Sequence, residues 1–289
     1  MSPAETIAVL GAGGTMGRPM ARNLARSGFS VRAWNRSGEK AQALADDGVE
    51  LCATPAEAAA GATVILTMLS DADAVLAVMD GADGALAGAS TGAVWLQMST
   101  IGIDATERCA ELARRHGLAL VDAPVLGTKQ PAEQGDLVIL ASGPDELRER
   151  LAPIFDAVGK RTMWLGAAGA GTRLKIAVNA WILTIVEGAA ETLALAEGLG
   201  LDPSLVLDAV SGGPLDLPYL QMKGKAMIER NFEPSFRLAL AAKDAALVEE
   251  AAERYGLDLP LIATLRRRLE AGVSQHGDED MSATFLTAS

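Results

Sequence analysis

From Gly169 to Gly200 the chain reads GAGTRLKIAVNAWILTIVEGAAETLALAEGLG, an uninterrupted helical pattern bounded by glycines. A helix of about 30 residues is about 45 Å long, more than the diameter of a small domain. Ala, Leu, Ile and Val fall on nearly every face, and a helix apolar all round must be buried in a large core or between packed units. Its first turns nevertheless carry Arg173, Lys175 and Asn179. Lys175 and Asn179 are four residues apart, so their side chains emerge one above the other. Burying charge without a partner is expensive. Either this end stands in water with Lys175 as a solvated terminal charge, or the pair belongs to a site. Lys175, Asn179, Glu187, Glu191 and Glu197 together argue against a membrane span.

Upstream, residues 1–165 alternate short apolar runs with helical patterns. The runs Thr6–Leu10, Ser30–Trp34, Thr63–Met68, Ala93–Met98, Leu118–Asp122 and Leu137–Ser142 are expected strands. Met16–Ser27, Glu39–Asp46, Ala72–Met79, Asp104–Arg115 and Asp145–Ala157 are expected helices. Apolar strands alternating with helices predict a doubly wound, mostly parallel α/β sheet covered on both faces. After Trp164-Leu165-Gly166 the strand signals stop, and helices are expected over 170–199, 203–211, 215–229, 236–256 and 259–274. The boundary is therefore expected near residue 166, with an α/β domain over 1–165 and an all-α domain over 166–289, joined by the long helix.

Charge and rare residues exclude several kinds of chemistry. The 289-residue chain has 25 Lys and Arg against 37 Asp and Glu, a net charge of −12. Such a field repels nucleic acid and anionic membranes, so a phosphate-bearing ligand needs a local site. His116 and His276 are the only histidines, and Cys52 and Cys109, the only cysteines, stand in no metal or redox spacing. Neither a zinc site nor a Ser-His-Asp triad is expected. MSPAET leads into the first strand with no basic and apolar leader. These features predict a soluble, cytoplasmic protein with no metal.

The first strand runs into Gly11-Ala12-Gly13-Gly14-Thr15-Met16-Gly17 and then a helix. Glycines here permit a tight turn and close approach of a pyrophosphate to the helix N-terminus, whose free amides and dipole favour an anion. Met16 stands where G-x-G-x-x-G needs its last glycine, so the loop reads either as G-x-G-x-x-x-G or as A-x-G-x-x-G from Ala12. The second strand ends in Trp34-Asn35-Arg36-Ser37. A carboxylate there would hold an NAD ribose, whereas Arg36, helped by Asn35, Ser37 and Lys40, suits a 2′-phosphate. The expected cofactor is NADP(H) in preference to NAD(H). A surface arginine in a βα turn is the plain alternative.

Several motifs now line up in order: Gly14-x-Met16-Gly17-x-Pro19-Met20 with Ala21-x-Asn23-Leu24, Met68-Leu69-Ser70-Asp71, Met98-Ser99-Thr100-Ile101, Asp122-Ala123-Pro124-Val125, Gly171-x-x-x-Lys175-x-x-x-Asn179 and Lys243-Asp244. Over essentially its whole length the chain resembles the β-hydroxyacid dehydrogenases, which include 3-hydroxyisobutyrate dehydrogenase, tartronate semialdehyde reductase and glyoxylate/succinic semialdehyde reductase. The resemblance implies a Rossmann domain joined by a long helix to an all-α domain, and a homodimer or homotetramer. It implies Lys175 as catalytic acid/base and Asn179 as a substrate-holding partner. Gly11, Gly13, Gly14, Thr15, Met16, Asn35, Arg36, Ser37, Met68, Leu69, Thr100 and Lys243 are the implied cofactor residues. Thr100, Leu126, Gly127, Thr128, Phe236 and Asp244 join Lys175 and Asn179 as implied substrate residues, Lys243 and Asp244 closing over cofactor and substrate. Asn35-Arg36-Ser37 is similar to the branch that uses NADPH.

Three departures from the family pattern stand out. Leu126-Gly127-Thr128 replaces a common Ser-Gly-Gly, so backbone amides and Thr128 are left to hold a substrate carboxylate. Ser70 replaces a usual proline, and the glycine loop is one residue longer. Thr128-Lys129-Gln130-Pro131-Ala132-Glu133 still looks like the glyoxylate/succinic semialdehyde side. Hydride delivered to an aldehyde carbon leaves an alkoxide that needs a proton, and a partly desolvated lysine can act as acid in reduction and base in oxidation. Two other readings remain open: an imine reductase on the same fold, which usually replaces this lysine by aspartate or tyrosine, and a noncatalytic NADP-binding protein. Trp181, Leu217, Tyr219, Phe232 and Phe236 form an apolar set that fits either a pocket or plain core and subunit contacts.

Overall fold

The computed structural model describes residues 5–287. The chain divides into two compact units, Met1–Lys175 and Ile176–Ser289, and the division falls inside one continuous helix. In the first unit the elements run β1 (Thr6–Leu10), α1 (Gly17–Arg26), β2 (Ser30–Trp34), a 3-10 stretch Gly38–Asp47, β3 (Glu50–Leu51), α2 (Pro55–Ala59) and β4 (Val64–Thr67). They continue through α3 (Ala72–Asp80), α4 (Ala85–Gly88), β5 (Val94–Gln97), α5 (Ile103–Arg115), β6 (Ala119–Asp122), β7 (Val125–Leu126) and α6 (Lys129–Gln134). The last are β8 (Leu137–Ala141), α7 (Arg148–Val158) and β9 (Gly159–Trp164).

Six strands form one sheet in the order β3-β2-β1-β4-β5-β6, every pair parallel. The chain leaves β1 in one direction and returns to β4 on its other side. That reversal opens a crevice at the carboxyl ends of the strands, where ligands of such sheets bind. β4 and β5 are buried along their whole length. Successive β1 residues feed two separate cores: Ile7 and Val9 pack on one face with Met20, Leu24 and Phe155, Ala8 and Leu10 on the other with Ile65, Trp95 and Leu120. α1 buries Gly17, Met20, Ala21 and Leu24, the i, i+3, i+4, i+7 stripe that a helix on a sheet presents.

Two expectations need correction. The helix over Glu39–Asp46 is a 3-10 stretch, and it buries only Ala41 and Leu44, three apart, which suits three residues per turn. The run Leu137–Ser142 does not join the large sheet. β8 belongs to a three-stranded sheet, antiparallel to β7 and parallel to β9. A parallel return needs a crossover of about a dozen residues or more, and the stretch 127–136 is too short for one. The two sheets meet through an antiparallel bridge between Asp122 and Ser142.

The helix α8 (Ala170–Gly198) begins in the first unit and continues into the second, followed there by α9 (Ser204–Val210), α10 (Pro218–Ile228), α11 (Leu238–Arg254), α12 (Pro260–His276) and a 3-10 turn, Met281–Thr287. α8 buries Ile176, Leu183, Val186, Glu187, Ala190 and Leu193. It is not buried all round, however. Trp181 is 58% exposed, Leu195 62% and Leu199 67%, so its neighbours within the chain cover one side only. By length and hydropathy α8 could cross a membrane. Its middle nevertheless holds a buried Glu187, whose carboxylate accepts hydrogen bonds from Arg268 of α12 and from Thr284 Oγ1 at 2.7 Å, so this helix is packed in protein.

Candidate active site

The glycine loop turns at the end of β1. Gly11 has φ of 97°, and a Cβ there would lie 2.2 Å from Met68 O. A Cβ on Gly17 would lie 2.2 Å from Gly11 O, and one on Gly13 2.6 Å from the Asn35 side chain. Gly11, Gly13 and Gly17 are therefore the three positions without room, and the loop is G-x-G-x-x-x-G. Gly14 and Thr15 are exposed and Met16 half-buried. Among the described residues the backbone N–H groups of Thr15 and Met16 meet no acceptor. Free amides at the start of α1 are the donors that a pyrophosphate needs.

Asn35 works mainly on the protein itself. Its Oδ1 accepts from Gly13 N at 3.0 Å and its Nδ2 donates to Ser37 O at 2.9 Å, tying the glycine loop to the turn after β2. Arg36 is exposed, with no ion pair or hydrogen bond among the described residues. The pattern of the sequence does not single out Arg18, yet its guanidinium folds back over the loop. Nη2 donates to Gly13 O at 3.3 Å, while Nε is buried without a partner. A cation one residue after the last loop glycine was the available signal.

Two further loops, after β4 and β5, leave the same edge of the large sheet, and a third belongs to the smaller one. Met68 and Leu69 follow β4, and Leu69 N donates to Ser99 Oγ at 2.9 Å. Asp71 caps α3 by accepting from Ala74 N at 2.8 Å, which sets the turn in which Ser70 stands. Thr100 follows β5, half-buried, just before α5. Leu126 is in β7. Gly127, with φ of 119°, and Thr128 make the turn into α6.

The start of α8 is fastened to the end of β6. Asp122, fully buried, accepts from Thr172 N at 2.8 Å, and its Oδ1 lies 2.7 Å from Thr172 Oγ1. Gly171 N donates to Ser142 Oγ at 2.9 Å, and a Cβ on Gly171 would lie 2.1 Å from Leu140 O. Burial pushes the Asp122 carboxyl up, against the opposing pull of its bonds from Thr172 and Ser142. Lys175 stands one turn further along α8 and is 9% exposed. The alternative of a solvated end charge is thereby removed. Burial also raises the Cys109 thiol to about 12, so it is no nucleophile.

In the second unit Asn179 is 2% exposed and its Nδ2 donates to Asp244 Oδ2 at 2.7 Å. A carboxylate only accepts, so this bond fixes which way the amide faces. Asn179 Oδ1 is left buried with no partner among the described residues. Lys243 Nζ lies 2.8 Å from Asp244 Oδ1. Phe236 is half-buried, its N–H donating to Asp280 Oδ2 at 3.1 Å. Of the apolar set, Leu217, Tyr219 and Phe232 are half-buried and Trp181 faces outward.

A parallel sheet in this order, with a glycine loop at its point of reversal, defines a dinucleotide-binding protein. Residues 6–166 match the NAD binding domain of 6-phosphogluconate dehydrogenase, and residues 169–287 match the NAD-binding domain of NADP-dependent 3-hydroxyisobutyrate dehydrogenase. Glyoxylate/succinic semialdehyde reductase 1 of Arabidopsis thaliana is 33% identical over 94% of this chain and 94% of its own length. A solved 3-hydroxyisobutyrate dehydrogenase of Mycobacterium tuberculosis, with L-serine, superposes with a TM-score of 0.88 at 29% identity, covering 99% of both chains. The human cytokine-like nuclear factor N-PAC is 31% identical over 94% of this chain but only 49% of its own length. The chain belongs to the β-hydroxyacid dehydrogenase family and is an NAD(P)-dependent oxidoreductase.

Proposed function

We propose that the chain is an NADPH-dependent reductase that interconverts a small aldehyde acid, a semialdehyde or glyoxylate, with its hydroxyacid, using Lys175 as general acid and base. The observation that carries this reading is a lysine only 9% exposed, one turn beyond a helix start held by Asp122 and Ser142. The 33% identity with a glyoxylate/succinic semialdehyde reductase supports the substrate class.

The residues present fit a phosphorylated dinucleotide. Gly17 leaves no room for a side chain at the loop, and among the described residues Thr15 and Met16 offer free amides and Arg18 and Arg36 carry no ion pair. Arg36 is assigned to the 2′-phosphate and Arg18 to the phosphates nearer the loop, which makes NADP(H) the preferred cofactor. Asn35 and Ser37 shape the Arg36 turn, and Met68, Leu69 and Thr100 flank the nicotinamide half. The bound cofactor supplies hydride in reduction and accepts it in oxidation.

Everything else falls to side chains. As carbonyl carbon gains hydride, the Lys175 ammonium gives a proton to the oxygen that becomes the hydroxyl. In the reverse direction the neutral amine removes it. Groups of this kind contribute about 10²–10⁴-fold. Asn179, one turn on from Lys175, is assigned to substrate orientation; its Oδ1 is left open by the Asp244 bond and adds no charge. Gly127 and Thr128 are assigned to the substrate carboxylate beside an apolar Leu126, with Phe236 lining the substrate and Lys243 assigned to the cofactor. We read 1–165 as the NADP-binding domain and 166–289 as the substrate and subunit-contact domain, with Trp181, Leu195 and Leu199 covered by a second copy in a cytoplasmic homodimer or homotetramer.

Following NADPH absorbance with succinic semialdehyde, glyoxylate and tartronate semialdehyde, and NADP reduction with 3-hydroxyisobutyrate, tests the activity. Lys175→Ala should abolish turnover while NADPH binding stays within about threefold. Loss of NADPH binding would make the lysine structural. Turnover of a cyclic imine alone would move the chain to the imine reductases, and binding with no turnover of any of these would favour the noncatalytic reading.

A further inference from the structure

Three stretches singled out separately in the sequence share one buried chain of oxygen atoms. Thr106 Oγ1, in the first turns of α5, donates to Gly102 O at 2.8 Å, two residues after Thr100. Thr106 Oγ1 lies 3.2 Å from Thr172 Oγ1, and Thr172 Oγ1 lies 2.7 Å from Asp122 Oδ1. Asp122, Thr106 and Thr172 are 0%, 2% and 3% exposed, so these contacts lie inside the fold.

The hydrogens can be counted. Gly102 O cannot donate, so its bond uses the Thr106 hydrogen. The Thr172 hydrogen can then serve only one of its two contacts, with Thr106 or with Asp122. For all three contacts to be two-centre hydrogen bonds three hydrogens are needed, and the two hydroxyls have two. A proton on Asp122 Oδ1 supplies the third: the acid then faces Thr172, which turns its hydrogen to Thr106. Asp122 Oδ2 is still free to accept from Thr172 N and from Ser142 Oγ, at 2.8 and 3.2 Å. Burial raises the pKa of this carboxyl, as a neutral acid requires.

We propose that Asp122 is a positioning residue for Lys175: as a neutral acid it closes the hydrogen-bond chain from Gly102 to the first turn of α8, and so fixes where the lysine amine stands. This rests on the acid/base reading of Lys175. A neutral anchor suits that role, because a charged carboxylate bonded to Thr172, one turn before Lys175, would favour the ammonium and oppose release of its proton. Groups that orient a reacting residue are worth about ten- to a hundredfold, and a misplacement of about 1 Å can cost a hundredfold.

The experiment compares Asp122→Asn, Asp122→Ala, Thr172→Ser and Thr172→Val in the full chain. Asn can donate from Nδ2 to Thr172 and accept at Oδ1, so Asp122→Asn and Thr172→Ser should keep kcat within about threefold. Asp122→Ala and Thr172→Val should lower kcat by about ten- to a hundredfold, with KM for NADPH and for succinic semialdehyde little changed. The deuterium isotope effect with labelled NADPH should rise in these two, since slow chemistry differs from a smaller folded fraction. Hydrogen exchange of residues 170–176 should quicken in the same two variants, a readout that needs no substrate. Asp122→Asn as impaired as Asp122→Ala would overturn the proposal, as would a Thr172→Val variant with unchanged exchange and kcat. Should Asp122→Ala not fold, the Thr172 pair decides. An active Lys175→Ala enzyme would instead sink the acid/base reading, and the exchange data would stand apart from it.

Discussion

In the helical unit the largest single electrostatic contribution should come from Lys223 and Asp280. Lys223 is 2% exposed and Asp280 3%, and Nζ donates to Oδ1 and Oδ2 at 2.7 and 2.9 Å. Ser235 N and Oγ, Phe236 N, and Ser282 N and Oγ also donate to the same carboxylate. Burial alone would raise this carboxyl, but the Lys223 ammonium and these bonds outweigh it and hold it at about 2. Against an unfolded value near 3.9, a depression of about two units is worth about 2.5 kcal/mol. Removing one partner of a buried pair costs about 3–5 kcal/mol. With five donors remaining, Lys223→Met should cost about 3 kcal/mol at neutral pH.

The sign gives a second handle. A depressed carboxyl stabilises the fold above its unfolded pKa, and that contribution is lost as pH falls from about 4 towards 2. Without the ammonium, burial dominates and the folded carboxyl rises, so the variant loses less than the parent in acid. The stability gap should narrow by about 1 kcal/mol between about pH 7 and about pH 4. Adding Asp280→Asn to Lys223→Met should recover part of the loss. Urea titration read by hydrogen exchange in peptides of the helical unit measures this locally, without assuming that both units unfold together. A Lys223→Met variant within about 0.5 kcal/mol of the parent, or a gap independent of pH, would refute the reasoning.

Other perturbations test separate parts of the molecule. Arg36→Ala should raise KM for NADPH by about ten- to a hundredfold, the worth of a charge-assisted bond of ~1.5–3 kcal/mol, and leave KM for NADH nearly unchanged; equal use of both cofactors by the parent would contradict the assignment. Gly17→Ala places a methyl 2.2 Å from Gly11 O, so calorimetry should find NADPH binding weakened more than about tenfold as the loop shifts. Glu187→Ala removes a buried carboxylate from Arg268, whose side chain is 26% exposed; chemical denaturation should show a loss of about 2–4 kcal/mol, the lower side reflecting that exposure.

Much of the fold was legible because it is written in burial. The runs of β1, β2, β5 and β6 were visible as apolar segments, and the glycine loop and the α1 stripe follow directly from residue type and spacing. The long helix was legible as a helix, since glycines bound it and no proline interrupts it. Its surroundings were not. Ala, Leu, Ile and Val on nearly every face show what a helix can bury, whereas which faces are covered depends on how many neighbours the chain supplies. Trp181, Leu195 and Leu199 are the residues where those differ.

Pairing and polar contacts were less legible, for different reasons. Leu137–Ala141 is as apolar as any strand of the large sheet, and only the short return from β7 shows why it cannot run parallel there. Periodicity records burial and is silent about direction. The Asp122 chain is harder still, because hydrogen bonds across separations of 50 and 66 residues leave no period at all. A buried Asp ending a strand and a Thr opening a helix are each ordinary. Their meaning comes from the 2.7 Å between them, and from a hydrogen count that only the assembled geometry permits. The lysine could therefore be found from its motif, while the group argued to hold it in place could be found only from the fold.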